Sequence, residues 1–479
     1  MWFVLVGLAV AVVALLATGR APARRWNVVV MVPDTVRGDH VSINGYARQT
    51  TPALDALARD GTNFSQAITV APQTWQSYSS ILSGLYPPHH GVRFIFDRSM
   101  SPDIATLGTV LKANGYETAT FDGNSFLKGM TGGNGFDDNI RVDTKRVADT
   151  SPDAQVVLMD QILEWIDGRK EPFLAFIRDV GGHWPYETNE WTAQFDPCDG
   201  HDHSFNEGDY GQLVGEPGHG LTLKDAAANH RMFFPPALPD RERDHVIAHY
   251  DAKLRFGDTQ FGRMIEHLRD KGLLDRTIIV VTADHGESFG EHGYRQHGPR
   301  VDEPAMHVPL VIWLPPSHPM RHAGGNVDTL VRVVDIFPTI LDLVGLPIPS
   351  GLDGISLVPA IRGKLLPPLW AYGESGRDYV GVDPERFFPG VEGKHRMIRT
   401  ADWKLVYILR PEGPEYRLYD LRNDPGELTN VAAQHPDRVA ELREKLEPFL
   451  AVDDHRDKRP DRPLTAGELE QLRQLGYAD

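Results

Sequence analysis

The chain has 479 residues, 41% hydrophobic and 24% charged, with 66 acidic against 49 basic side chains and a formal net charge of −17. An acidic balance of this size excludes general attraction to nucleic acid or to an anionic lipid surface, so any anionic ligand must be held by a local cationic site. The length suffices for one large α/β domain plus a smaller one, and the single cysteine, Cys198, excludes both an intramolecular disulfide framework and a cysteine-rich metal centre.

Residues 2–18, WFVLVGLAVAVVALLAT, carry no charge. The run sits at the short end of the range for a spanning helix, about 17–25 residues, and slightly above a signal-peptide core. Residues 1–25 are therefore read as a membrane anchor or uncleaved signal, with cleavage at the APA of 21–23 as the alternative. The expected location is membrane-anchored, with the following domain outside the cytoplasm (periplasm or cell surface). Arg20, Arg24 and Arg25 follow the run, and the positive-inside rule would put that flank in the cytoplasm, so orientation stays open.

Strand patterns then alternate with helical ones, which predicts an α/β fold with a mostly parallel sheet sandwiched by helices. The strands expected are 27–32, 117–121, 173–177, 277–282 and 308–313; the helices are 50–61, 103–114, 152–167 and 245–272, the last with Gly257 and Gly262 as weak spots. Residues 187–240 are rich in Gly, Asp, His and Pro and read as an insertion or lid over the strand ends. Its CDGHDH run (198–203) is a solvated acidic loop or a metal ligand set. From about 371 the pattern becomes short antiparallel strands followed by a closing helix, an α+β subdomain over 371–455; residues 456–479 are a linker and a terminal helix. The main domain spans 26–370.

Ligands of parallel α/β sheets bind beyond the carboxyl ends of the strands. Asp34 follows NVVVMVP, and Asp284 with His285 follows TIIVVTA. A lone Asp after a strand is usually a turn or cap residue, but Asp-His-Gly offers two adjacent ligands and a tight turn. Two carboxylates and an imidazole suit zinc, manganese or magnesium. His183 in DVGGHWPY and His297 in YRQHGP stand in constrained loops past strand ends.

Together with GYARQTTPALDALARDGTNFSQA, SSILSGLYPPHHGV, DRTIIVVTADHGESFGEHG, VDIFPTILDLVGLPIPSGLDGISL and LYDLRNDPGELTN, these motifs resemble the sulfatase-like branch of the alkaline phosphatase superfamily over residues 27–435, in order. The resemblance implies that superfamily's sandwich with a small C-terminal antiparallel sheet. It also implies one divalent metal ion and a nucleophile in APQTWQSYSSILSG (71–84); the mixed O/N donor set points to Zn, Mn or Mg, and Thr35 in place of a second Asp disfavours Ca. The family's Cys or Ser, matured to formylglycine, falls at Thr74, so formylglycine chemistry cannot operate here. Threonine at this position resembles members that move phosphoryl groups through a covalent phosphothreonine.

The reading that follows makes Asp34, Thr74, Asp284 and His285 the metal ligands. Thr74 is the nucleophile, and His183 and His297 neutralise charge or protonate the leaving group. Tyr78 and Asn124 are the expected substrate contacts. The substrate is a small-molecule, lipid-linked or glycan phosphate mono- or diester, hydrolysed or transferred. A sulfate esterase without formylglycine and a non-catalytic binding protein are the rivals. Gln76 and Tyr78 replace the family's Pro and Arg, Thr35 replaces a second Asp, and Asp122–Ser125 stand where a Lys and His hold sulfate in typical sulfatases.

Overall fold

The computed structural model describes residues 25–93, 100–122, 135–142, 152–170, 172–179, 181–184, 186, 188–196, 240–375, 394–410 and 413–452. The apolar run 2–18, Asn124, the CDGHDH stretch and the terminal helix expected after 456 lie outside these residues. Among the described residues no helix is long and apolar enough to cross a membrane.

An eight-stranded sheet forms the centre. Its strands are β1 (Asn27–Met31), β2 (Thr62–Phe64), β3 (Glu117–Asp122), β4 (Asp138–Arg141), β5 (Phe173–Arg178), β6 (Thr277–Thr282), β7 (Leu310–Trp313) and β8 (Gly325–Val327), in spatial order β8-β2-β7-β6-β1-β5-β3-β4. All pairings are parallel except those of β7 with β6 and β2. Strands β1, β5 and β6 are buried along their whole length, which is why each reads as a continuous apolar run. The strand expected over 308–313 divides: Val308 pairs with Ala67 in a separate small sheet, and only Leu310–Trp313 joins the main one. Pro309 lies between them without an N–H to donate. Strands β2, β4 and β8, three or four residues each, are too short to show a period in the sequence.

The longer helices are α1 (Pro52–Asp60), α2 (Thr74–Ser83), α3 (Leu107–Ala113), α4 (Pro152–Asp167), α5 (Asp240–Asp270), α6 (Ile336–Leu343) and α7 (Pro436–Ala451). Helix α3 begins in a capping box, Thr106 and Thr109 exchanging side-chain-to-backbone bonds of 3.2 and 2.8 Å. Helix α5 runs unbroken through Gly257 and Gly262. A Cβ at Gly262 would lie 3.4 Å from Ala53 of α1, and one at Gly257 the same distance from Gln155 of α4. Both distances are ordinary van der Waals contacts, and the helix continues through both glycines rather than breaking at them.

A four-stranded antiparallel sheet closes the chain: β9 (Ala371–Glu374), β10 (His395–Arg399), β11 (Trp403–Arg410) and β12 (Gly413–Asp420), with α7 against it. It meets the main domain at more than one place: Lys404 Nζ lies 3.2 Å and Arg399 Nη2 3.3 Å from the Glu303 carboxylate, and a second buried group gathers at Glu374. Glu374 N–H donates to Val70 O at 2.9 Å, just before α2. The Glu374 carboxylate accepts from Arg93 Nε at 2.8 Å and from the Tyr372 hydroxyl at 2.6 Å, with Lys394 Nζ at 3.4 Å.

Candidate active site

The parallel register aligns the ends of three strands. Met31 of β1 pairs with Ile177 of β5 and Val281 of β6, so the residues just beyond, Asp34, Arg178 and Asp284, converge. Asp34, Asp284 and His285 present ligand atoms that all lie within 4.8 Å of one another, and all three side chains are buried.

The donor set fits a divalent ion. His285 Nδ1 lies 2.9 Å from Gly286 O, so that nitrogen carries the proton and Nε2 keeps its lone pair. Nε2 faces Asp34 Oδ1 at 3.6 Å, Asp284 Oδ2 at 3.4 Å and Thr74 Oγ at 3.3 Å. Asp284 Oδ2 is buried with no hydrogen-bond partner, an arrangement that costs free energy unless a cation fills it. The two carboxylates are pushed apart: burial and the Asp34 charge raise Asp284 well above the usual carboxylate range. At Asp34 burial is overcome by Arg178 and three histidines, which hold the carboxyl below that range. Asp34, Asp284 and His285 would hold a divalent ion, whose positive charge would favour the ionised form of both carboxylates.

The backbone around the pair is strained to suit. Thr35 sits at φ 61°, uncommon for a β-branched residue. In that conformation its N–H donates to Asp284 Oδ1 at 3.0 Å and its hydroxyl to Asp34 Oδ1 at 2.8 Å. Gly181 and Gly182 of DVGG pack against this turn. A Cβ at Gly181 would lie 2.2 Å from Asp34 O, and one at Gly182 2.7 Å from Thr35 O.

Thr74 is the first residue of α2, and Gln73 is the N-cap. The Thr74 hydroxyl faces His285. Helix α2 is buried from Trp75 to Ser83 although rich in serine. Two of its hydroxyls donate to nearby carbonyls, Ser77 to Ala71 O at 2.9 Å and Ser83 to Ser79 O at 2.7 Å, and Ser80 Oγ lies 3.0 Å from His90 Nε2. Gln76, in place of a proline, donates to Gln73 Oε1 at 2.6 Å and Arg93 O at 2.9 Å, tying the loop to the Arg93–Glu374 junction. The single hydrogen of Tyr78, expected at the substrate, is donated to Val32 O, and its ring lies under Arg178 at 5.7 Å.

His297 stands between two left-handed residues, Gln296 (φ 63°) and Gly298 (φ 120°), which turn it toward the centre. Its ring centroid is 4.3 Å from that of His285 and 5.2 Å from that of His183. Burial lowers its proton affinity, but Glu287, 3.1 Å from Nδ1, more than compensates, so His297 is raised. His183 is lowered, with burial the dominant cause; its Nδ1 contacts Trp184 O at 2.5 Å.

Two contributors were not singled out in the sequence. Arg178 closes β5, pairing with Asp34 and, at 3.1 Å, with Asp122, its parallel-register neighbour on β3. A charge ending a wholly apolar strand was the available signal. Glu287, two residues after His285, bridges His297 and the Tyr186 hydroxyl, the latter at 3.0 Å.

Two family models match the chain. The model described as Sulfatase covers residues 26–346, and that described as N-sulphoglucosamine sulphohydrolase, C-terminal covers 290–452. The chain belongs to the sulfatase family, within the alkaline phosphatase-like superfamily. Sulfatase-family members bind a divalent metal ion. Among relatives, bovine (Bos taurus) Arylsulfatase K is 27% identical over 88% of this chain and 81% of its own. An Arylsulfatase of Clostridium perfringens is 25% identical over 88% and 93%. The fold matches the phosphonate monoester hydrolase of Agrobacterium radiobacter at TM-score 0.70, with 24% identity over 92% of this chain and 100% of that one. It also matches a protein solved with its substrate D-glucosamine-2-N,6-O-disulfate at TM-score 0.69, with 22% identity over 90% and 99%.

Proposed function

We propose that this sulfatase-family hydrolase acts on phosphate mono- or diesters through a covalent intermediate on Thr74. The observation that carries the reading is the Thr74 hydroxyl at the amino end of α2, 3.3 Å from His285 Nε2 and beside the Asp34–Asp284 pair. Asp34, Asp284 and His285, with the Thr74 oxygen, would hold one Zn, Mn or Mg ion, which supplies positive charge for the ester oxygens and makes the threonine hydroxyl more acidic. The first N–H groups of α2 favour the tetrahedral anion.

Thr74 yields its proton to solvent; a bond forms from Oγ to phosphorus as the bond to the leaving alkoxide breaks. The two outer histidines divide the proton work, because their surroundings move their proton affinities in opposite directions. His297, raised by Glu287, donates a proton to the leaving oxygen. His183, kept neutral by burial, takes the proton of the water or acceptor alcohol that releases the phosphoryl group. Arg178 stays behind Asp34 and fixes its orientation.

The test is a panel of aryl sulfate, aryl phosphate and aryl phosphodiester assayed with each metal. Phosphorus turnover lost in Thr74→Ala, together with a protein mass raised by one phosphoryl group on quenching, supports the reading; turnover of sulfate alone sinks it. A sulfate esterase without formylglycine is the second reading, favoured by relatives named arylsulfatases. On the same footing, residues 1–25 are proposed as an anchor or signal holding the catalytic domain outside the cytoplasm. Cell fractionation of the full chain tests that assignment, and recovery in the cytosol counts against it.

A further inference from the structure

A second trio of metal-ligating side chains stands apart from the active site. Ligand atoms of Asp196, His245 and His249 lie within 4.8 Å of one another. His245 and His249 are four residues apart on α5, hence on one face, one turn from each other, with ring centroids 4.6 Å apart. Asp196 ends the stretch that leads on from His183. Its Oδ2 contacts His245 Nδ1 and lies 3.8 Å from His249 Nε2. The second separation is too long for a hydrogen bond and suits two donors on one ion.

The orientation of His249 carries the argument. Its Nδ1 lies 3.3 Å from Tyr186 O, which makes that nitrogen the donor and leaves the Nε2 lone pair facing Asp196. Metal-binding histidines are held in this manner, the non-ligating N–H bonded to a carbonyl. The trio is largely buried, with side-chain exposures of 6% for Asp196, 11% for His245 and 2% for His249.

We propose that Asp196, His245 and His249 bind a second ion of the zinc class, structural in role, with water completing the coordination. The ion fastens the segment carrying His183 to α5. His249 already holds the Tyr186 carbonyl, and the Tyr186 hydroxyl reaches Glu287, which braces His297. One turn beyond His249, Lys253 Nζ donates to His183 O at 2.6 Å.

The experiment strips the full chain with a chelator, titrates Zn²⁺ alone and counts bound zinc by elemental analysis. Wild type should take two equivalents and Asp284→Asn one. Asp284→Asn combined with His245→Gln and His249→Gln should take none. In Asp284→Asn, Co²⁺ should give the visible bands of a four-coordinate ion. As a second variant, Asp196→Asn keeps the shape of the side chain and should weaken the second equivalent at least tenfold. Zinc-free Asp284→Asn, an unchanged count in the histidine variant, or unchanged affinity in Asp196→Asn overturns the proposal. One equivalent in both wild type and Asp284→Asn, lost with the histidines, would uphold this site and count against the active-site ion instead.

Discussion

Replacing Arg178 with methionine tests the electrostatic frame of the site. Arg178 lies between Asp34 and Asp122, and side-chain exposures in these pairs are 1–4%. Methionine keeps the packing over Tyr78 but leaves two buried carboxylates without their cation. Removing one partner from a buried ion pair costs about 3–5 kcal/mol. The Asp122 share persists under all conditions. The Asp34 share does not, because a bound divalent ion faces the same carboxylate, so the cost should fall to roughly half in metal-loaded protein. The assay is equilibrium urea unfolding followed by tryptophan fluorescence, in chelator and in saturating Zn²⁺. A urea slope of about 3 kcal/mol per molar or more for a chain of this size turns the loss into a midpoint shift of about 1 M in chelator. An equal shift in both buffers, or a loss below about 1 kcal/mol in chelator, refutes the picture of Arg178 and the metal sharing Asp34.

Asp284→Asn removes the unpartnered oxygen and should lower metal affinity at the active site by more than about 100-fold, checked by competition with a zinc indicator. Gly181→Ala drives a methyl into Asp34 O and should cost about 2–4 kcal/mol together with metal uptake. The control Gly293→Ala, at φ 70° with open space around it, should cost only about 1–2 kcal/mol. At Glu374 burial is outweighed by Arg93 and Lys394, which lower the carboxyl to about 2. Its folded value lies below the ordinary one, so its stabilisation is fully present above about pH 4.5 and is lost as pH falls toward 2. Glu374→Gln should thus be less stable than wild type by about 3 kcal/mol at pH 7, with the gap closing below pH 4.5; a gap constant from pH 7 to 3 contradicts this. Thr35→Asp restores a carboxylate and should shift metal preference toward Ca²⁺, measured by the order of affinities for Ca²⁺ and Zn²⁺.

The main strands were legible because burial on both faces leaves an unbroken apolar run, as in β1, β5 and β6. Asp34, Asp284 and His285 were legible because each ends such a run. Arg178 was not, since a charge at the end of an apolar run marks it locally but only the register of β5 between β1 and β3 pairs it with Asp34 and Asp122. Tyr78 reads from the sequence as a substrate contact in place of an arginine; only the packing of α2 on the sheet shows its hydroxyl meeting Val32. The Asp196–His249 pairing was equally hidden, since the helix supplies two ligands at a fixed spacing but the third comes from a loop 53 residues away. The left-handed backbone of Thr35 and Gln296 defies propensity, and such departures gather where a site imposes geometry.

The junction at Glu374 also bears on how the molecule is made. The loop that presents Thr74 rests on Val70 and, through Gln76, on Arg93, yet the partner of both arrives 281 residues after Arg93. At roughly 5–20 residues per second of synthesis, Arg93 waits about 15–55 s for that partner. Asp34 and Thr35 wait almost as long for Asp284, 249 residues downstream of Thr35. During that interval Asp34 can already meet Arg178, made 144 residues after it, while the contacts to Asp284 and Glu374 are still missing. A nascent chain halted before residue 374 should therefore be inert toward esters and exposed to chaperones and proteases, and catalytic competence should appear only as the closing sheet forms.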